Sequence, residues 1–106
     1  MHGSLYAIQE AAAKRILYLP HAVRQMNHPE RMISVEEVRQ VLLEGSIIED
    51  YPEDARGSSC LMLGFGTNER PIHVVCAAKQ EYLVVITAYL PDPARWEPGF
   101  KRRKNG

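Results

Sequence analysis

R-P-I-H-V-V-C-A-A-K-Q-E-Y-L-V-V-I-T-A-Y-L-P-D-P-A-R-W, residues 70–96, holds two runs of β-branched and aromatic residues, 72–78 and 82–90. They are parted by the short polar break Lys79, Gln80, Glu81. This pattern predicts two strands joined as a hairpin. Side chains of a strand alternate between faces, so each run has two readable sides. In the first, Ile72, Val74, Cys76 and Ala78 oppose His73, Val75 and Ala77. In the second, Val84, Ile86, Ala88 and Leu90 oppose Leu83, Val85, Thr87 and Tyr89. Each strand therefore has one wholly apolar face, suited to a helix-covered core, and one that carries a few polar groups. A hairpin centred near Gln80 pairs positions whose numbers sum to about 160, which sets His73 against Thr87 with Tyr89 nearby.

Outward from the hairpin, S-I-I-E-D-Y at 46–51, ended by Pro52, and S-C-L-M-L-G-F at 59–65 also read as strands. Residues 53–58, with Gly57, and 66–69 read as the turns between them. Upstream, Ser34 and Glu37 have the spacing of a capping box. It opens a helix with Val35, Val38, Val41 and Leu42 on its apolar face and Gly45 at its stop. H-A-V-R-Q-M at 21–26 is a short helix with Pro20 in its first turn, interrupted by Asn27, His28 and Pro29. Residues 5–19 start as an alanine-rich helix, with Leu5, Ile8 and Ala12 on one stripe. They end extended, because the residue before Pro20 is pushed out of the α region.

Two to three N-terminal helices followed by four strands predict an α+β fold. The helices should pack on one face of a four-stranded antiparallel meander sheet, leaving the other face for solvent or a partner. Residues 91–96 form a turn that brings Trp96 to the sheet edge. A single domain is expected over 1–106: a helical extension at 5–19, a core at 20–97, and a basic, flexible tail at 98–106.

With 106 residues the chain can bury one modest core. Formal charge is zero and the pI about 6.9, so no global basic field advertises nucleic acid. Charge is uneven all the same: 44–54 is acidic, while Lys101, Arg102, Arg103 and Lys104 make a basic ending. Cys60 and Cys76 stand in apolar runs and read as buried reduced thiols, with a disulfide or metal pair as the alternative. No apolar run reaches the ~18 residues of a membrane span. The N-terminus lacks the basic start and apolar stretch of a signal peptide. A cytoplasmic location without membrane contact is expected.

Candidate chemistry is confined to a few side chains. His21 stands at a helix start with Arg24 one turn on, and Arg31 follows near the next helix. His73 lies within an apolar strand, where a histidine needs a hydrogen-bond partner. Tyr89 and Thr87 are the polar groups on the partner strand; Arg95 and Arg102 add cations after it. Asp50, Glu53 and Asp54 lack the spacing of a calcium loop, and no phosphate loop, dinucleotide fingerprint or zinc pattern is present. No cofactor or metal is called for. Cleaving RNA without a metal needs a base for the ribose 2′-hydroxyl, positive groups near the phosphate, and an acid for the leaving oxygen. Histidine, arginine and tyrosine meet those needs.

The pieces H-A-V-R-Q-M, I-S-V-E-E-V, G-S-I-I-E-D-Y-P-E-D, S-C-L-M-L-G, R-P-I-H-V-V-C-A, I-T-A-Y-L-P-D-P-A-R-W and F-K-R-R span 21–103. Together they resemble a bacterial family known only as a domain of unknown function, number four-two-five-eight of that series. Gln25 stands where that family leads one to expect an arginine, and Met32 where it leads one to expect a glycine. The family in turn is similar to small toxin ribonucleases of the RelE and barnase–colicin type, some of them partnered by small antitoxins. The resemblance implies a site of His21, Arg24 or Arg31, His73, Thr87 and Tyr89. Two functions follow as expectations. One is a metal-independent endoribonuclease with His73 or His21 as acid or base, Arg24 and Arg31 on the phosphate, and Tyr89 as hydrogen-bond donor, its partners being RNA and an antitoxin. The other is a non-enzymatic interaction module that takes a protein or a second copy, as a homodimer, on its polar sheet face.

Overall fold

The computed structural model describes residues 4–53 and 58–105, and in it the extended ending foreseen before Pro20 is a strand in its own right. The elements are α1 (Ser4–Lys14), β1 (Ile16–Tyr18), α2 (Pro20–Met26), α3 (Val35–Glu44), β2 (Ser46–Tyr51), β3 (Ser59–Phe65), β4 (Pro71–Ala78) and β5 (Leu83–Tyr89). The α+β class and the helices-first order are as the patterning predicts. The sheet needs one correction: it has five strands in the order β1-β5-β4-β3-β2 and is mixed. β1 runs parallel to β5, Ile16 opposite Leu83 and Tyr18 opposite Val85. β1 ends after three residues because Pro20 has no N–H for the ladder; its fixed φ starts α2 instead. Of the turn expected over 53–58, residues 54–57 lie outside the described residues.

The capping box forms as its spacing predicts. Ser34 Oγ accepts from the Glu37 N–H at 3.0 Å, and Glu37 returns a carboxylate oxygen to the Ser34 N–H at 3.0 Å. The same carboxylate also accepts from Thr67 N–H (2.8 Å) and from Arg70 Nε (3.0 Å) and Nη2 (2.8 Å). Glu37 is only 5% exposed, and the guanidinium of Arg70 chiefly holds its carboxyl down to about 2. Arg70 also donates to the carbonyls of Arg31 (2.7 Å) and Met32 (2.9 Å), so this node ties the loop before α3 to the β3–β4 turn. Gly66 belongs to the node: a Cβ there would lie 2.3 Å from a Glu37 carboxylate oxygen. Met32 has φ 49°, the left-handed region that favours glycine, which gives the glycine expected at this position a physical reason.

The core lies between the helices and one sheet face. Ile8 and Ala12 of α1, Ala22 and Met26 of α2, and Val38, Val41 and Leu42 of α3 pack with Cys60, Met62, Val74, Cys76 and Val85 of the sheet. α3 crosses β3 closely enough that a Cβ on Gly64 would come within 2.9 Å of Val41 Cα.

Strict alternation along β5 does not hold, and the site depends on the reason. Leu83, Val84 and Val85 pair with Ala78, Ala77 and Cys76, but after a register shift Thr87, Ala88 and Tyr89 pair with Val75, Val74 and His73. Ile86 is left without a partner, as the extra residue of a β-bulge. The bulge reverses the facing of all that follows, so Leu83 and Val85 point into the core while Thr87 and Tyr89 take the opposite face. His73 therefore stands opposite Tyr89, not Thr87. β2 carries a second shift, which leaves Ile48 unpaired between Ile47↔Met62 and Glu49↔Leu61. It sends Glu49 and Tyr51 to the same face as His73.

That second face is not left bare. After β5 the chain turns back across it, and Trp96 is 4% exposed on the face itself, not at the edge. Gly99 (φ 92°) and Phe100 (φ 61°) reverse the chain, and Trp96 and Arg103 form an antiparallel bridge. The Lys104 N–H donates to the Arg95 carbonyl at 2.8 Å.

Candidate functional site

His73 is fully buried, and both of its ring nitrogens are engaged. Nε2 lies 2.9 Å from the Phe100 carbonyl, which can only accept, so Nε2 carries the proton. In the neutral ring Nδ1 is then the acceptor, and the Tyr89 hydroxyl donates to it at 3.3 Å. Tyr89 and Trp96 stand edge-on to the imidazole, with ring centres 5.3 and 4.5 Å away. Burial pushes the pKa of His73 below its ordinary value and that of Tyr89 above it, so both groups rest neutral.

A layer further out, Arg103 lies 4.8 Å over the Trp96 ring and grips Glu49 with two bonds of 2.8 and 3.0 Å. The pairing holds the Glu49 carboxyl below the usual carboxylate range. Tyr51 donates to the same carboxylate, and burial, with that bond, pushes its hydroxyl up to about 12.

Beside this stack a cleft of about 470 Å³ opens between α2 and the bulged end of β5. β1 pairs only with 83–85 and leaves that end of β5 to α2. His21 and Gln25 of α2, Arg31 of the following loop, Thr87 and Tyr89 of β5, and Arg95 and Arg103 of the C-terminal segment all line it. The cleft thus gathers three guanidinium groups, with Asp92 the one carboxylate among its lining residues. Arg31 is steadied by a 2.6 Å bond from Nη1 to Gln25 Oε1, and its backbone is held by Arg70.

Of the residues singled out in the sequence, His21, Arg31, Thr87, Tyr89 and Arg95 meet at this cleft. His73 does not line it; it is fully buried behind Tyr89 and Trp96, which do. Arg24 and Arg102 are exposed and do not line it. The Tyr89 hydroxyl donates to His73 Nδ1, and Tyr89 itself lines the cleft. Sequence reasoning missed Arg103, Gln25 and Asp92. Arg103 and Arg102 are neighbours in one basic run, and only the bridge to Trp96 decides which of them turns inward. Among the described residues no group of three or more His, Cys, Asp or Glu side chains is placed to hold a metal ion, and no helix is long and apolar enough to cross a membrane.

Comparison with known proteins gives one match. A family model described as a domain of unknown function, DUF4258, covers residues 18–90, from the end of β1 through β5. No curated protein and no solved structure matches the chain.

Proposed function

From a chain that belongs to the DUF4258 family, whose cleft joins an exposed histidine to three arginines, we propose a metal-independent endoribonuclease. The observation that carries the reading is the gathering of His21, Arg31, Arg95 and Arg103 with the hydroxyls of Thr87 and Tyr89 on one concave surface. Guanidinium groups match phosphate oxygens in shape and charge, and a cleft concentrates their field despite a net charge of zero. His21 takes the proton of a ribose 2′-hydroxyl, whose oxygen attacks the adjacent phosphorus. The bond to the 5′ oxygen breaks, and the proton returns from His21 to that oxygen, leaving a 2′,3′-cyclic phosphate and a 5′-hydroxyl. Arg31 and Arg95 stabilise the charge that builds on the phosphate. His73 is a positioning residue that fixes the Tyr89 hydroxyl from below. In this reading the domain is the toxin of a toxin–antitoxin pair, and a small antitoxin would cover the same cleft.

The test is incubation of the purified protein with total and synthetic RNA in the presence of a chelator, beside His21→Ala and Arg31→Ala variants. Cleavage to cyclic-phosphate ends that falls at least about 100-fold in His21→Ala is the expected result. Undiminished cleavage in that variant removes His21 from the reaction. No cleavage by the folded wild type overturns the enzyme and leaves the interaction module, whose mark would be a concentration-dependent dimer or a protein partner on this face.

A further inference from the structure

On the helix-covered side of the sheet, the two cysteines of the chain stand directly opposite each other, Cys60 on β3 and Cys76 on β4. Their sulfurs are 4.0 Å apart and both are unbonded to other cysteines. Facing residues of antiparallel strands have Cα atoms about 4.5–5.5 Å apart, inside the range a disulfide spans. Turning the side chains, with a small approach of the two strands, would bring the sulfurs to the ~2.05 Å of a bond. We propose that Cys60 and Cys76 are a reversible oxidation site, a dithiol that takes up small hydroperoxides and closes to a cross-strand disulfide.

Access and asymmetry support this. Both cysteines belong to the buried core, yet both line a cleft of about 180 Å³ between α1, at Ala7 and Ile8, and the strand ends at Asp50 and Ser59; Cys60 keeps 4% of its surface exposed and Cys76 none. That volume admits a peroxide but not a peptide. Cys60 and Cys76 also differ from one another. The contact between the sulfurs favours a Cys60 thiolate, while the same contact and burial push Cys76 well up. Asp50, opposite Cys60 on β2, opposes its ionisation without cancelling that effect. Cys60 is also the less deeply buried of the two, and is the attacking sulfur. Its thiolate displaces alkoxide or hydroxide from the peroxide oxygen; the O–O bond breaks, the leaving oxygen takes a proton, and Cys60 becomes a sulfenic acid. The Cys76 sulfur then attacks Cys60, the S–O bond breaks, and the hydroxide leaves as water with the Cys76 proton. The two cysteines lose two electrons and the peroxide gains them.

None of this rests on the ribonuclease reading. The test uses the reduced full chain, treated with hydrogen peroxide, denatured, alkylated and weighed. Expected is loss of both free thiols together, a mass about 2 Da below that of the reduced, unalkylated chain, a linked peptide holding Cys60 and Cys76, and recovery with dithiothreitol. The closed loop should also raise the thermal midpoint by roughly 10 °C. In Cys76→Ser the sulfenic acid at Cys60 should persist and be trapped by dimedone, while Cys60→Ser should resist the peroxide. Two alkylated thiols after treatment, or direct passage of Cys60 to the sulfinic acid in the unmutated chain, overturns the proposal. Equal dimedone labelling of the two single variants does so as well.

Discussion

The face of the sheet under the helices buries Met62, Val74, Cys76 and Val85 within the cluster of apolar side chains it shares with α1 and α3. The other face buries a histidine between two aromatic rings and a backbone carbonyl, with a guanidinium and a carboxylate closing the stack. The first is held by area removed from water, which has no direction and depends little on pH or salt. The second is held by bonds that have donors and acceptors, so it responds to both. A small domain that spends one face on a core can use the other for groups that must point somewhere.

The largest effect should come from the apolar side. Leu42→Ala removes a fully buried side chain from α3 and should cost about 3 kcal/mol in denaturant unfolding, by the same amount at pH 6 and pH 8. On the opposite face, His73→Ala strands the Tyr89 hydroxyl and the Phe100 carbonyl and should cost about 2 kcal/mol. That loss should depend on pH. The pKa of His73 is depressed by burial, so the fold prefers the neutral ring. Its contribution is complete above the ordinary histidine value near 6.5 and shrinks as the pH falls from there through the lower folded value. The stability of the wild type should therefore drop faster below about pH 6.5 than that of His73→Ala. Parallel curves for the two proteins would erase the distinction between the faces. Smallest of the three, Arg103→Ala removes a pair whose arginine side chain is 59% exposed, and should cost no more than about 1 kcal/mol, fading with added salt. A salt-independent loss would mean that Arg103 acts through its packing on Trp96.

The local signals for the fold were legible. The capping box at Ser34 and Glu37, the stops at Gly45 and Pro52, and the strands 46–51 and 59–65 follow from residue chemistry within a few positions. The two bulges were not. Ile48 and Ile86 sit inside continuous apolar runs, where an extra residue leaves the composition unchanged, and only the partner strand reveals the slip. That is why Thr87 and Tyr89 were placed with Leu83 and Val85, and His73 against the wrong partner. Candidate site residues were legible by type, since His21, Arg31, Thr87, Tyr89 and Arg95 do share a cleft. Their roles were not, because the burial of His73 comes from Trp96 and Phe100, more than twenty positions along the chain.

The pairing of β1 with β5 joins Ile16 to Leu83, across more than half the length of the chain. Closing such a distance costs chain entropy before any contact repays it, so this edge should form late. During synthesis β1 emerges early and has no partner until β5 follows. Until then Ile16, Leu17 and Tyr18 are an exposed apolar segment, with α2 beside them and no strand end to rest on. The newborn chain thus lacks the cleft along with the sheet edge, because His21 and Tyr89 meet only once the last strand is in place. Slow or truncated synthesis of such a domain leaves a species open to aggregation or to a holding partner.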